Sequence, residues 1–324
     1  MEILALLGDG FATSLAPLNL ALIVFGVSAG LFIGAMPGLG SINGVAILLP
    51  MTFVVPPESA IIFLAALYYG AMYGGAISSI LLGIPGASTA VATTFDGRPL
   101  ANQGKASAAL IAASVASFVG GTISVILFTL FAQPLADFAL AFGPAEEFAL
   151  VLLAFTTFVG LGGDDILKTI LMIAFGLVLS TVGLDLISGQ PRLVFFDLPG
   201  FYNGVSFLVL AIGIYGIGEI LWTIEQTRGQ PQVMAAKVGF RDILKGFREL
   251  GSTVRTMVTG SVMGFFVGTL PAAGATPASL MAYGMAKTAS KTPEKFGKGA
   301  VEGVVAPEAA NNAASTGSLL PMLT

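Results

Sequence analysis

The sequence predicts an all-α membrane protein, a polytopic helix bundle built from inverted repeats with broken or re-entrant helices. Three observations predict this fold. The chain is 55% hydrophobic and only 10% charged, with a mean hydropathy of +0.91. It contains several long apolar runs, and a glycine-rich motif that ends in a proline break occurs twice. Because soluble domains carry about 25% charged residues, the composition alone indicates an integral membrane protein.

Composition also excludes several classes of function. The 324 residues include neither cysteine nor histidine. Disulfide scaffolds, Cys/His metal sites, Ser-His or Cys-His catalytic pairs and histidine pH switches are therefore excluded. The formal net charge of −4 is small, and no basic face suggests nucleic acid. The N-terminal residues lack the positive region of a signal peptide, so we expect them to be retained.

Apolar runs mark the predicted spans, because about 20 apolar residues cross the hydrocarbon core of a bilayer. The runs fall at Leu15–Met36, Ala46–Val55, Ala60–Leu82, Ala106–Ala132, Phe148–Leu161, Ile166–Leu184 and Val205–Trp222. A polar stretch follows, and apolar character resumes at Val254. We therefore expect a first transmembrane repeat over 1–224, a cytoplasmic amphipathic linker over 225–253, and the start of a second, incomplete repeat over 254–324.

Charge orients this map. Six Lys and Arg residues lie between Arg228 and Arg255, which predicts that this segment is cytoplasmic. Counting spans backwards places the N-terminus outside, provided that residues 15–55 form a two-legged hairpin. The acidic loop around Glu146 and Glu147 then also falls outside, in agreement with its lack of Lys and Arg.

This topology predicts that cysteines introduced at Ser14 and Gln230 are labelled from opposite sides of the membrane. The chain has no background thiol, so a membrane-impermeant maleimide gives an unambiguous result. Labelling of both positions from one side would contradict the odd number of crossings and the inverted repeat that depends on it.

The internal repeat compares "GVSAGLFIGAMPGLG" from Gly26 with "GSVMGFFVGTLPAAG" from Gly260. Six identities recur at a constant offset of 234 positions, from Gly26, Gly30, Phe32, Gly34, Pro37 and Gly40 to Gly260, Gly264, Phe266, Gly268, Pro271 and Gly274. Each copy is a glycine-spaced helix that runs into a Pro-x-x-Gly break. Since the map places an odd number of crossings between the copies, the second is inverted, as in many secondary transporters.

The breaks predict a binding site, because irregular backbone at membrane depth is tolerated where it lines a cavity or is buried in protein. A half-helix that starts after a break presents free N–H groups and a positive dipole end to an anion. The first break offers Pro37, Gly38, Gly40, Ser41 and Asn43, and the second offers Gly274 and Thr276. The alternative is tight helix packing, which we favour for Gly26, Gly30 and Gly34 and for Gly70–Gly74.

Two further segments supply candidate residues. A second kind of break, "GIPGAST", places Gly86 before Ser88 and Thr89, although hydroxyls also satisfy their own helix backbone. The segment "APEAANNAASTGSLLP" contains Glu308, Asn311 and Asn312 in small, apolar surroundings. Placing a polar group at membrane depth costs free energy, so such a group indicates a functional site by default. The alternative is that Glu308 lies at the membrane surface, where it would not indicate a functional site.

Three stretches carry a resemblance: "YYGAMYGGAISSILLGIPGASTA", "FIGAMPGLGS" and "KTPEKFGKGAVEGVVAPEAANNAAS". They resemble the large membrane subunit of the tripartite tricarboxylate transporters, the TctA family, and the similarity covers nearly the whole chain. The resemblance implies a multi-pass subunit of the bacterial inner (plasma) membrane that imports tricarboxylates or related carboxylates, driven by an ion gradient. It also implies two partners, a periplasmic solute-binding protein and a small membrane subunit. Sodium ion or proton would be the coupling ion.

Family members are longer than this chain, and the end of the first repeat at Trp222 would map beyond Thr324. We therefore expect a chain truncated within its second repeat.

Rival classes explain the residues less well. An intramembrane aspartyl protease needs paired catalytic aspartates, and no tyrosine here precedes an aspartate. We therefore expect no enzyme. An anion-conducting channel is the alternative function, since re-entrant breaks also build selectivity filters.

Overall fold

The computed structural model describes residues 2–37, 39–140, 143–161, 166–185, 188–194, 199–206, 209–210, 212–217, 221, 250–270 and 274–319. These residues are mostly helical, with one antiparallel pair of short strands, β1 (Gly183–Leu184) and β2 (Pro191–Arg192). Three described helical segments are long and apolar enough to cross a membrane: Pro17–Ala35, Pro57–Leu82 and Ala106–Phe131. The predicted all-α membrane bundle is confirmed.

The first half of the chain supplies a broken helix followed by long spans. Its helices are α1 (Glu2–Ser14), α2 (Pro17–Ala35), α3 (Gly40–Leu48, continued by a 3-10 turn over Leu49–Val54), α4 (Pro57–Leu82), α5 (Val91–Asn102, preceded by a 3-10 turn over Ser88–Ala90) and α6 (Ala106–Leu140). A proline opens both α2 and α4, where the missing N–H is not needed by the helix. Gly83 ends α4 in the left-handed conformation with φ of 73°.

The remaining helices follow in chain order. They are α7 (Pro144–Leu161), α8 (Ile166–Ser180), α9 (Pro199–Tyr202), a π-helical turn (Ile212–Ile217), a 3-10 turn (Leu250–Thr253), α10 (Val254–Thr269), α11 (Ala275–Ala289), a 3-10 turn (Pro293–Lys295) and α12 (Glu302–Gly317). Most of the predicted cytoplasmic linker, up to residue 249, lies outside the described residues.

Glycines on α2 pack against the backbone of α4, as the packing interpretation predicts. A Cβ built on Gly26 would lie 2.8 Å from the Phe63 carbonyl oxygen, and one on Gly34 would meet the backbone of Ala71. No side chain larger than hydrogen fits there, so the glycines allow the two helices to touch along their backbones. The contacts advance in the same direction on both helices, which makes α2 and α4 parallel.

The second repeat reproduces this packing. A Cβ on Gly260 would lie 2.9 Å from the Ala306 carbonyl oxygen of α12, and Gly264 and Gly268 face Ala310 and Ala314. The contacted residues of α4 and α12 differ by a constant 243 positions: 63 to 306, 67 to 310 and 71 to 314. The structure therefore extends the repeat beyond the motif, with α10, α11 and α12 equivalent to α2, α3 and α4.

Hydrogen bonds across the bundle show that the second repeat is inverted. Tyr73 of α4 contacts Leu110 and Ser114 of α6, while Tyr69 lies beside Gly121, so α4 and α6 run antiparallel. On α12, Glu308 bonds Ser117 and Thr316 bonds Ser124, so α6 and α12 run parallel. Consequently α4 and its equivalent α12 run in opposite directions, as predicted from the odd number of crossings.

Candidate functional site at the two helix breaks

The two predicted breaks meet at one cavity of about 400 Å³. It is lined by Leu39, Gly40, Ser41, Ile42, Asn43, Tyr68, Met72, Ala87, Ser88, Thr89, Gly274, Ala275, Thr276 and Ser318. Seven of the twelve predicted site residues are in this set: Gly40, Ser41, Asn43, Ser88, Thr89, Gly274 and Thr276. Residues 188 positions apart touch across the cavity, because the Ser88 and Thr276 hydroxyl oxygens lie 3.0 Å apart.

Equivalent glycines shape both breaks. Gly40 has φ of 66° and Gly274 has φ of 68°, a left-handed conformation that side chains rarely adopt. Each residue stands at the start of a half-helix, α3 or α11. A Cβ on Gly274 would meet nothing within 4 Å, and one on Gly40 would only just reach Ala87. Backbone conformation, and not crowding, therefore requires glycine at these two positions.

The starts of α3 and α11 both lie at the cavity and carry no side-chain cap. The first N–H groups of a helix have no partner within that helix, and its dipole places about half a positive charge at this end. None of the described residues that line this cavity is charged. The strongest electrostatic feature of the cavity is therefore a pair of helix N-termini, an arrangement that favours an anion.

Polar side chains around the cavity differ in burial. Ser41 and Thr89 are buried, and both hydroxyls approach the Met72 sulfur, at 4.0 Å and 3.5 Å. A thioether is a weak acceptor, so these hydroxyls keep most of their hydrogen-bonding capacity. The Asn43 side chain is exposed and lies at the rim of the cavity.

The structure does not bring every predicted site residue to the cavity. Pro37 precedes the break without lining the cavity, and Gly38 lies outside the described residues. Gly86 is buried in packing, since a Cβ there would lie 2.7 Å from the Ser78 hydroxyl and 2.8 Å from Gly75. The motif "GIPGAST" therefore has two roles: Gly86 packs inside the protein, and the hydroxyls of Ser88 and Thr89 reach the cavity.

The predicted residues of α12 lie deeper in the protein. Every residue from Gly303 to Gly317 is buried, so this polar helix is enclosed by protein. Asn312 donates from Nδ2 to the Glu308 carbonyl oxygen of its own helix at 3.0 Å. Asn311 is fully buried, and neither Nδ2 nor Oδ1 has a hydrogen-bond partner within the described residues. Glu308 is also fully buried, which answers the surface alternative left open by the sequence.

Sequence reasoning missed a buried carboxylate on α5. Asp96 is fully buried and accepts hydrogen bonds from the Gly299 and Ala300 amides at 2.7 Å each and from the Tyr283 hydroxyl at 2.9 Å. These bonds fasten α5 to α11 and to the turn that enters α12. Its only signal in the sequence was an acidic residue in the polar segment "TTFDGRP" that follows the "GIPGAST" break.

A second cavity, of about 460 Å³, lies between the starts of α10 and α12 and the end of α11. Its lining includes Arg255, Lys291 and the ion pair between Lys295 and Glu302, whose N–O distance is 3.0 Å. None of the predicted site residues lines it.

Inverted repeats whose broken helices meet at one cavity are an architecture that is typical of membrane transporters. The sequence profile of the "Tripartite tricarboxylate transporter TctA family" matches residues 20–324. The chain therefore belongs to the tripartite tricarboxylate transporter TctA family, as the resemblance of its motifs indicated.

Two relatives come from Agrobacterium vitis. An "Uncharacterized 52.8 kDa protein in TAR-I ttuC' 3'region" is 38% identical over 328 residues, covering 100% of this chain and 64% of the relative. An "Uncharacterized protein in TAR-II ttuC' 3'region" is 49% identical over 61 residues, which is 19% of this chain and 25% of that relative. The chain thus spans less than two thirds of the length of the first of these relatives. No solved structure matches the chain.

Proposed function

We propose that the chain belongs to the large membrane subunit of a transport system that imports tricarboxylates or related carboxylates across the bacterial inner membrane. An ion gradient drives uptake, a periplasmic solute-binding protein delivers the substrate, and a small membrane subunit completes the complex. Membership of the TctA family supports a component of such a system. The single observation that carries the proposal is the cavity at which two uncapped helix N-termini from inverted repeats meet.

Charge explains why this cavity suits a carboxylate. Each helix start contributes about half a positive charge, and its N–H groups bind carboxylate oxygens directly. The hydroxyls of Ser41, Ser88 and Thr276 add neutral hydrogen-bond donors on both sides of the cavity. Since the pair of dipoles supplies about one positive charge in total, a di- or tricarboxylate remains negative inside. Its passage through the membrane therefore requires accompanying cations, which is the physical reason to expect coupling to an ion gradient.

The proposal is tested in proteoliposomes that contain a full-length member of the family with its small subunit and binding protein. Radiolabelled citrate should accumulate above its external concentration when an inward sodium or proton gradient is imposed. A channel would give large citrate currents and no uphill accumulation, and that outcome would replace the transporter with the anion-conducting channel.

Removal of polar groups at the first break should weaken substrate binding. We expect Ser41→Ala and Asn43→Ala to cost about 1 kcal/mol each, which is about a fivefold rise in half-saturating substrate concentration. Initial rates of citrate uptake at several concentrations provide the measurement. Ser28→Ala is the matched control, because the Ser28 hydroxyl only donates to the Val24 carbonyl oxygen of its own helix. An unchanged half-saturation in both variants would place the substrate elsewhere.

A further inference from the structure

We propose that the Glu308 carboxylate and the Asn311 amide on α12 form a binding site for one sodium ion. The site itself is inferred from the structure of this chain alone. Its role as the site of the coupling ion rests on the proposed function above. Three features of α12 support this site: a buried charge without a counter-charge, an amide without a partner, and a helix face that extends to the cavity.

The buried charge is Glu308. Its side chain is fully buried and accepts hydrogen bonds from the Thr93 hydroxyl at 2.5 Å and the Ser117 hydroxyl at 3.2 Å. Both partners are neutral, and within the described residues Glu308 has no ion pair. A buried carboxylate without a compensating positive charge costs several kcal/mol. A cation at this position removes that cost.

The contrast with Asp96 shows what is missing. Asp96 is equally buried, but two backbone amides and the Tyr283 hydroxyl donate to it. Asp96 is thus satisfied within the protein, whereas Glu308 has only one hydroxyl donor for each oxygen. Asp96 therefore needs no further ligand, whereas the two Glu308 oxygens keep unused acceptor capacity.

The amide without a partner is Asn311. Its Oδ1 and Nδ2 atoms are both buried and have no hydrogen-bond partner in the described part of the chain. Such atoms are rare in native proteins, and a bound water or ion is one explanation for them. Residues three apart on a helix are neighbours on its surface, so the Asn311 and Glu308 side chains start from adjacent positions on α12.

Together these groups match the chemistry of a hard cation. The carboxylate of Glu308, the hydroxyls of Thr93 and Ser117 and the Oδ1 atom of Asn311 offer only oxygen ligands. Hard metal ions such as sodium prefer oxygen ligands. A proton on Glu308 would bring one hydrogen-bond donor, which can satisfy the Asn311 Oδ1 atom and no other acceptor. A sodium ion binds the carboxylate, both hydroxyls and the amide oxygen together, so this set of oxygen ligands favours sodium over a proton.

Two observations direct the site towards the cavity. Glu308, Asn311, Ser315 and Ser318 recur at i, i+3, i+7 and i+10, which places them on one face of the helix. Ser318 lines the cavity together with Tyr68 of α4.

The repeat supplies the second observation. The register of 243 positions between α4 and α12 makes Asn311 the equivalent of Tyr68 and Ser315 the equivalent of Met72. Tyr68 and Met72 both line the cavity. The face of α12 that carries Asn311 is therefore the counterpart of the cavity face of α4.

The test uses the purified 324-residue chain in detergent at pH 8, with no carboxylate present and choline as the replacement cation. We expect saturable binding of ²²Na⁺ and a melting temperature that rises with sodium concentration. Asn311→Ala should lower sodium affinity about tenfold, since a buried ligand to a charge is lost. Glu308→Gln should abolish binding while it preserves the shape and hydrogen bonds of the side chain, so its melting temperature should be equal in sodium and choline.

Two variants serve as matched controls. Asn19→Ala removes another amide with a buried, unpartnered Oδ1, near the start of α2, and Glu58→Gln neutralises an exposed carboxylate. Both should bind sodium as the unmodified chain does. Sodium binding that survives Glu308→Gln, or a melting temperature that responds to pH and not to sodium, would overturn the proposal. Because no carboxylate is needed, failure of citrate uptake with sodium binding intact would overturn only the proposed function.

Discussion

Gly40→Val should abolish carboxylate uptake in a full-length member of the family while the protein still inserts and folds. Gly40 adopts φ of 66°, a conformation that costs a side chain about 1–2 kcal/mol and a β-branched one more. The strain is relieved when the backbone at the break rotates, which turns the N–H groups of α3 away from the cavity. Gly274→Val should have the same effect at α11, because Gly274 has φ of 68°.

Gly104→Val is the matched control. Gly104 has φ of 77°, and a Cβ there would meet nothing within 4 Å, but it lies in an exposed turn away from the cavity. The valine thus imposes a comparable backbone strain without touching a break. Citrate uptake normalised to folded protein in the membrane is the measurement. Normal uptake by well-folded Gly40→Val and Gly274→Val proteins would show that the breaks are packing devices. Gly38→Val should also abolish uptake, although Gly38 lies outside the described residues.

The sequence contained the breaks and the repeat because both depend on local chemistry. Proline and glycine disrupt helices wherever they occur, and six identities at one offset indicate a repeat without any structure. The polar character of α12 was equally visible, since Glu308 and Asn311 interrupt an apolar segment. Together with the "GIPGAST" break, these features identified seven of the fourteen residues that line the cavity.

Contacts between distant helices could not be predicted in the same way. Tyr68 and Met72 line the cavity from the middle of α4, where their sequence resembles that of any buried span. The motif offset of 234 also differs from the 243 that relates α4 to α12, so nine more residues separate the break from the following helix in the second repeat. Only the helix contacts show that Asn311 is equivalent to Tyr68.

The burial of Asn311 without a partner was likewise inaccessible to sequence reasoning. An asparagine side chain in a helix can find a hydrogen-bond partner in several ways. Asn312, for example, donates to the backbone of its own helix. Which of two adjacent asparagines is left unsatisfied depends on the direction that each takes from α12. That direction is set by the packing of α10 and α6 around the helix, and not by local sequence.

Gly264→Leu should prevent folding, in contrast to the substitutions at the breaks. A Cβ on Gly264 would overlap with the backbone of Ala310, and backbone atoms cannot move aside as the end of a flexible side chain can. α10 and α12 would have to separate along their whole contact, which would lower the free energy of unfolding by about 3 kcal/mol or more. Gly30→Leu should act alike between α2 and α4, where a Cβ would meet the backbone of Leu67.

The measurement is the yield of monodisperse protein in detergent, by fluorescence-detected size-exclusion chromatography, beside citrate uptake. Gly264→Leu and Gly30→Leu should lower yield and uptake together, whereas Gly40→Val should lower uptake alone. Gly10→Leu is the control, because Gly10 lies in a helix with nothing within 4 Å of its Cβ position. Normal yields from the Gly264 and Gly30 variants would contradict direct backbone packing. The equivalence of α10 and α12 to α2 and α4 would then lose its structural basis, since the same glycine contacts define the register of 243 positions.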